Sequence, residues 1–337
     1  MRRLKSRLDI RYLVLWVVDF CNLSCRYCYA KGNFKGNKMS FETAKRAIEL
    51  YDSKDFTLIF AGGEPLLNFE LIEEIWQYLK ENNYSCKLGM QTNGTLITEE
   101  MARKLKNMNI NIGVSFDGDM RSNEYLRGKT GATLRGINLL KEQGIEINLN
   151  CVVTDKNISK LEDLANFAYY LGNVSGIGLD LLRINENSCA NTLLPPDEKY
   201  IYPNLKKADE RIKLLGDLTG KKVGIREIEE MRIRSKVKCS NGYCYSSFGQ
   251  NMVVMPSGDT YPCSSLAGKE KYFMGNIMEE VTPISLESGK YKHCEYCKYV
   301  NICKGCCPSR LIHNRESNME DRDCFLRRAV FRILEEE

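Results

Sequence analysis

The chain reads as an α/β protein: a partial (β/α)6 TIM-like barrel over residues 10–225, then a small cysteine-rich domain over residues 236–330. Three observations predict this. Six short β-rich runs alternate with helical patterns between residue 12 and about residue 183. The motifs "FC", "GGEP", "QTNGT" and "SFDG" fall at the carboxyl ends of the first four runs, where barrels and open α/β sheets gather their ligands. After residue 238 helical periodicity lapses until "RDCFLRRAVFRILEEE", and most of the 15 cysteines follow.

In order, the expected strands are "YLVLWVV" (12–18), "FTLIFAGG" (56–63), "CKLGMQTN" (86–93), "INIGVSFDG" (110–118), "EINLNCVV" (146–153) and "GIGLDLLRI" (176–184). The helical stretches between them carry start and stop signals. "SFETAKRAIELY" opens on Ser40 and "ITEEMARKLKNM" follows Thr98, both plausible N-caps. "FELIEEIWQYLKENN" has apolar residues at helical spacing. "ATLRGINLLKEQG" stops at Gly144 and "NISKLEDLANFAYYLG" at Gly172. A polar helix over roughly 197–216 links the barrel to the rest. In the last third, metal ligation is expected to substitute for a large core.

Composition excludes several classes. Net charge is +5, from 49 Lys and Arg against 44 Asp and Glu, too balanced to argue for nucleic acid or a membrane surface. Only 2 histidines are present, so histidine acid–base chemistry is disfavoured. The basic, apolar start resembles an export signal, but Asp19 and Phe20 stand where a cleavage site wants small residues. No apolar run approaches the ~20 residues needed to span a bilayer. The expected compartment is the cytoplasm, where thiols stay reduced and clustered cysteines mean metal or catalysis.

Cys21, Cys25 and Cys28 form C-x3-C-x2-C at the end of the first strand. Three thiols are an odd number for disulfides and one short of a closed zinc site. Soft thiolates select zinc, copper(I) or iron–sulfur clusters. Such a loop can wrap three corners of a cubane and leave the fourth iron open; a zinc knuckle with a distant fourth ligand is the alternative.

This loop, with Tyr27 just before its last cysteine and "GGEP" (Gly62, Gly63, Glu64, Pro65) after the second strand, resembles the radical S-adenosylmethionine (radical SAM) family. The resemblance implies that SAM chelates the open iron through its methionyl group. It implies that Glu64 accepts a hydrogen bond from the SAM ammonium, and that the glycines let backbone approach the ligand closely. "QTNGT" adds Gln91 and Asn93 as cofactor contacts. In relatives a serine on the fourth strand and a downstream arginine bind the SAM carboxylate. Ser115 matches the first, and Arg127, preferred to Arg121 or Arg135, the second. Asp117 serves either a turn before Gly118 or the ligand.

The later cysteines, Cys244, Cys263, Cys294, Cys297, Cys303, Cys307 and Cys324, resemble in order and spacing the SPASM extension of peptide-modifying radical SAM enzymes. That likeness implies two auxiliary 4Fe–4S clusters, three clusters in all. Cys239, Cys244, Cys263 and Cys307 would hold the first; Cys294, Cys297, Cys303 and Cys324 would hold the second. Cys239 lies outside the seven, and without it the first auxiliary cluster would have an open iron. Cys306 competes with Cys307, and spacing favours Cys307. A pair of zinc ribbons is the alternative. Cys86 and Cys151 read as buried thiols, His293 and His313 as surface residues. Cys189, beyond the sixth strand, is expected on the ligand side as a candidate for direct catalysis.

The resemblance implies an oxidoreductase that cleaves SAM with an external one-electron reductant of the flavodoxin or ferredoxin type. The resulting 5′-deoxyadenosyl radical would oxidatively modify a peptide or protein substrate. The reading is a maturase forming a thioether or carbon–carbon crosslink in a ribosomally made peptide. Few residues precede the first strand, so either a separate leader-binding protein or the barrel rim with the 184–238 segment would recognise the peptide. The second reading is an anaerobic sulfatase-maturating enzyme that makes formylglycine, suggested by "QTNGTLI" through "NCVVT". Members of that branch place an aspartate base after the cysteine matching Cys263, where Ser264 stands here. A cysteine-rich zinc-binding interaction protein is the non-enzyme alternative.

Overall fold

In the computed structural model, which describes residues 9–50, 54–237, 242–287 and 292–337, the chain begins with β1 (Tyr12–Val18). From Leu13 onward β1 is buried on both faces, which is why its sequence runs apolar without alternation. Leu13, Leu15 and Val17 join the main core beneath the helices, whereas Val14 and Trp16 pack on the other face with Val253, Met255 and Tyr261.

The β/α alternation follows as its patterns predict. α1 (Phe41–Glu49) starts at Ser40, whose hydroxyl accepts from the Thr43 N–H. β2 (Thr57–Gly62), α2 (Phe69–Glu81) and β3 (Lys87–Thr92) come next. α3 (Glu99–Met108) is capped by Thr98. After β4 (Asn111–Ser115) come α4 (Met120–Leu126), capped by Asp119, and α5 (Thr130–Glu142). β5 (Ile147–Val153) leads to α6 (Leu161–Leu171), which stops at Gly172 with a φ of 83°. β6 (Val174–Leu181) completes the six, and all of them pair parallel in sequence order.

Beyond β6 the expected polar helix is present, joined by elements that the pattern did not show. α7 (Glu186–Ala190) is a short turn closed by an Asn185 capping box. α8 (Glu198–Thr219) packs on α6 and on the last helix, α11 (Arg322–Glu335). A two-residue strand, β7 (Gly224–Ile225), pairs with β6 and leads straight into α9 (Arg226–Val237).

The cysteine-rich region does not form a separate layer. Its β8 (Asn251–Val254) pairs parallel with β1, from Tyr12 opposite Asn251 to Leu15 opposite Val254. β9 (Thr260–Tyr261) turns back antiparallel on β8, and α10 (Pro308–Asn314) follows. The result is one open nine-stranded sheet in the order β7-β6-β5-β4-β3-β2-β1-β8-β9. β1 is therefore an interior strand with a partner from each half of the chain. Among the described residues no helix is long and apolar enough to cross a membrane.

Candidate functional site

A cavity of about 1010 Å³ opens at the carboxyl ends of the strands and reaches into the concave face of the sheet. Cys21, Cys25 and Cys28 stand on one wall, Cys244, Cys263 and Cys307 on another. Buried carboxylates and amides fix the first loop. Asp19, at the end of β1, accepts from the Asn37 N–H at 2.7 Å and the Asn37 side-chain amide at 3.0 Å. Asn187 of α7 donates to the Cys28 carbonyl at 2.8 Å, and Asn185 to that of Tyr27 at 3.0 Å. Tyr27 is buried and donates its hydroxyl to Asp117. Asp117, fully buried, also takes the Arg127 guanidinium at 2.9 and 3.2 Å and the Val152 N–H at 2.8 Å. It thereby anchors Tyr27 and Arg127. Arg127 lines the cavity, whereas Arg121 and Arg135 do not.

"GGEP" also packs directly against the cysteine loop. β1 and β2 slip register so that Val18 lies opposite Gly62. The Gly63 and Glu64 N–H groups then donate to the carbonyls of Val18 and Phe20 at 3.1 and 3.0 Å. A Cβ on Gly62 would lie 2.2 Å from the Val18 carbonyl oxygen, and one on Gly63 only 1.9 Å from that of Phe20. The glycines line the cavity, but what excludes a side chain is the backbone of the cysteine loop. Pro65 does not line the cavity; it opens a 3-10 turn. Glu64 is buried and accepts from Thr92 Oγ1 at 2.6 Å, the Asn93 N–H at 2.7 Å and the Leu66 N–H at 3.2 Å. Burial pushes its carboxyl up to about 7 against the pull of those three donors.

Gln91, Asn93 and Ser115 also line the cavity. Gln91 donates to Ser115 Oγ at 2.8 Å, and Asn93 to Cys21 Sγ at 3.7 Å. Burial raises the thiols of Cys21, Cys25 and Cys28, that of Cys25 to about 12 despite the nearby Arg127. As thiolates these cysteines need a metal centre to offset their desolvation. Among the described residues no three His, Cys, Asp or Glu side chains converge so as to hold a single metal ion. The three thiols instead border a large space. A cubane, whose irons take one thiolate each, suits that better than zinc, which needs its sulfurs about 2.3 Å from one centre.

The opposite wall is charged. Arg183 donates to Cys307 Sγ at 3.8 Å and to Asp180 at 2.6 Å, and Ser309 Oγ lies 3.3 Å from the same sulfur. Arg310 bridges Asp180 and Asp323, and the second oxygen of Asp323 accepts the Cys307 N–H at 2.7 Å. Burial would raise the Cys307 thiol, but Arg310 and Arg183 outweigh it and hold it below the ordinary thiol value. Cys244, with no such cations, is raised by burial. Cys239 lies outside the described residues.

Cys294, Cys297, Cys303 and Cys324 line a second cavity of about 520 Å³ beside α11, with Cys306 among them. Tyr299 and Phe331 stack at 4.3 Å along its apolar side. Arg327, also on its wall, is buried, and its Nε and Nη1 have no hydrogen-bond partner among the described residues. Such buried donors demand an acceptor, and cluster sulfide or thiolate sulfur would provide one.

Two expected placements differ. Cys189 is exposed on α7 and does not line the cavity, because the Asn185 cap turns the chain into a helix there. His313 is not a surface residue: its Nε2 lies 2.7 Å from the Ser265 carbonyl oxygen, and burial holds the ring down at about 4. The His293 side chain lies outside the described residues. Sequence reasoning missed the Asp180, Arg183, Arg310, Asp323 and Tyr243 network. Only Asp180 and Arg183, at the carboxyl end of the sixth strand, carried a positional signal.

Comparison with known proteins agrees with this geometry. The pattern of the radical SAM superfamily matches residues 17–168. The chain is 36% identical over 296 residues to an uncharacterized protein of Methanocaldococcus jannaschii, covering 85% of this chain and 94% of that one. It is 26% identical over 344 residues to a cysteine-type anaerobic sulfatase-maturating enzyme of Clostridium perfringens, covering 89% of each. The solved structure of native anSMEcpe with bound AdoMet and the Cp18Cys peptide superimposes with a TM-score of 0.77 at 23% identity, covering 96% of both chains. The chain belongs to the radical SAM superfamily and is a SAM-cleaving enzyme of its SPASM type.

Proposed function

We propose that this protein is a maturase that oxidatively crosslinks a ribosomally made peptide. One observation carries the reading: Cys21, Cys25 and Cys28 and the Cys244, Cys263 and Cys307 group face the same cavity. A substrate between them meets a source of radicals on one side and an electron acceptor on the other. The barrel unit (10–225) supplies the first wall and the SPASM unit (236–330) the second. The first three cysteines hold the cluster that binds SAM. Cys239, Cys244, Cys263 and Cys307 hold one auxiliary 4Fe–4S cluster; Cys294, Cys297, Cys303 and Cys324 hold the other.

When bound, the first cluster and SAM supply a 5′-deoxyadenosyl radical that removes a hydrogen atom from an unactivated carbon. The chain's own residues orient and shield. Tyr27, Gly62, Gly63, Glu64, Gln91, Asn93, Ser115 and Arg127 surround the cofactor, and Pro65 sets the turn behind it. The concave sheet excludes bulk water. Arg183 and Arg310 stabilise the thiolate of Cys307 next to the acceptor. A flavodoxin- or ferredoxin-type donor supplies the first electron. The peptide-bound structural neighbour supports a peptide substrate, and either the cavity rim or a separate leader-binding protein selects it.

Likeness to a sulfatase-maturating enzyme over nearly the whole chain favours formylglycine formation as a second reading. Against it, Ser264 lines the cavity where that reaction wants a base. Mass spectrometry decides between them. Candidate peptides encoded near this gene are incubated anaerobically with enzyme, SAM and reductant. Loss of two hydrogens with a new crosslink is expected. Conversion of a cysteine or serine to formylglycine would establish the second reading. Colourless protein carrying zinc, without iron or sulfide, would sink both.

A further inference from the structure

We infer that a hydrogen-bond relay across the floor of the cavity, Arg226 to Asn150 to Gln91 to Ser115, presets the Ser115 hydroxyl as a donor into the SAM site. Arg226 Nη1 donates to Asn150 Oδ1 at 3.5 Å, Asn150 Nδ2 to Gln91 Oε1 at 2.5 Å, and Gln91 Nε2 to Ser115 Oγ at 2.8 Å. The direction follows from the far end. A guanidinium can only donate, so the Asn150 oxygen must face it and the Asn150 NH₂ must face away. Gln91 must then turn its oxygen to Asn150 and its NH₂ to Ser115. Ser115 Oγ is thereby an acceptor within the relay, and its proton is left for a group in the cavity that it lines. The polarity rests on the donor inventory and is independent of how either amide is assigned.

The relay is built into four strands. β4 and β5 set Ser115 opposite Asn150, and β5 and β6 set Asn150 opposite Gly178. Two of its joints lie over a glycine. A Cβ on Gly113 would come within 2.5 Å of Asn150 Nδ2 and 2.6 Å of Gln91 Oε1; one on Gly178 would come within 2.6 Å of Asn150 Oδ1 and 2.7 Å of Arg226 Nη1. Side chains at 113 and 178 would lift the amides off the sheet. The origin is anchored too: Glu227 takes Arg226 Nη2 at 2.7 Å and, with its other oxygen, the Leu179 N–H of β6 at 2.9 Å. Gln91, Asn150 and Arg226 are therefore positioning residues for Ser115. The inference rests on the proposal that Ser115 faces the carboxylate of SAM.

Asn150→Asp tests it. Aspartate still accepts from Arg226 but cannot donate to Gln91. Gln91 then reverses, and Ser115 donates to Gln91 rather than to SAM. SAM affinity of the reconstituted holoenzyme, measured by anaerobic equilibrium dialysis at unchanged iron content, should fall about 10- to 100-fold, the worth of one hydrogen bond to a charged group. Ser115→Ala should cost a similar factor, and adding Asn150→Asp to it should cost nothing more. Gly113→Ala, which wedges a methyl group under the second joint without adding charge, should mimic Asn150→Asp and serves if that variant loses its clusters. Unchanged affinity in Asn150→Asp, or an equal loss in the Ser115→Ala background, overturns the relay alone. If Ser115→Ala binds SAM like the parent, the carboxylate contact itself is wrong and the relay falls with it.

Discussion

The two cysteine-lined cavities are built on opposite principles. The larger is framed by regular strands, floored with amides and glycines, and flanked by buried charges that hold each other in place. The smaller is apolar, walled by Tyr299, Phe325 and Phe331, and reaches solvent near Tyr296, which is 91% exposed. The first has the polar contacts to orient a cofactor and a substrate. Beyond its sulfurs, the second offers the two spare donors of Arg327, a buried oxygen of Asp321, and the charged ends of Lys298 and Arg328. Under the proposed function, chemistry on substrate would belong to the first, and electron passage or structural stapling to the second.

The sharpest way to break this division is to remove one set of thiols at a time. Replacing Cys21, Cys25 and Cys28 together by alanine should abolish SAM cleavage and remove roughly a third of the iron, one cluster of three. Cleavage at the parent rate, assayed as 5′-deoxyadenosine, would reject the assignment. Gly63→Ala should come next in size. Its methyl would drive into the Phe20 carbonyl, costing on the order of 3 kcal/mol, with loss of iron alongside the fall in melting temperature. Replacing Cys294 and Cys297 should remove a similar share of iron yet spare SAM cleavage, so that less peptide is modified per SAM consumed. Equal loss of cleavage and modification would erase the distinction.

Smaller effects refine the comparison. Arg183→Met removes a donor and a positive charge from Cys307, which disfavours the reduced, more negative cluster. Its midpoint potential in an EPR-monitored titration should fall by about 59 mV, a tenfold change for one electron, while the other clusters stay put. No shift would mean that the cations serve only packing. The smallest effect concerns acid stability. His313 is held at about 4 against an ordinary value of 6.5, so the unfolded chain binds more protons between those values. Its stabilising contribution is complete above pH 6.5 and is lost as pH falls towards 4. Thermal unfolding of His313→Gln should show a shallower decline over that window; an identical slope would show that burial does not hold the His313 ring below its ordinary value.

The same contrast explains what the sequence disclosed. Strands and helices up to residue 181 follow period and caps, so β1 to β6, Ser40, Thr98 and Gly172 are legible. The grouping of the later thiols came from the family resemblance rather than from spacing alone; Cys244, Cys263 and Cys307 line one cavity and Cys294, Cys297, Cys303 and Cys324 the other. β8 was not legible: four residues buried on both faces carry no alternation, and its partner β1 is remote in sequence. α9 was missed because its sequence, REIEEMRIRSKV, is mostly charged. Arg310 and Arg327 carried no local signal, because nothing near them in sequence says that each is buried against Tyr243. Gly63 was legible as a glycine that mattered, but not as one excluded by its own backbone neighbour.

The pairing of β1 with β8 has a consequence for biogenesis. Tyr12 meets Asn251, so one edge of the strand leading into Cys21 stays bare until β8, remote in sequence, has been made. Cys21, Cys25 and Cys28 are thus made well before their scaffold is finished, and iron delivered before β8 exists would meet them half-housed. Loading once β8 has paired with β1 is the order this topology favours.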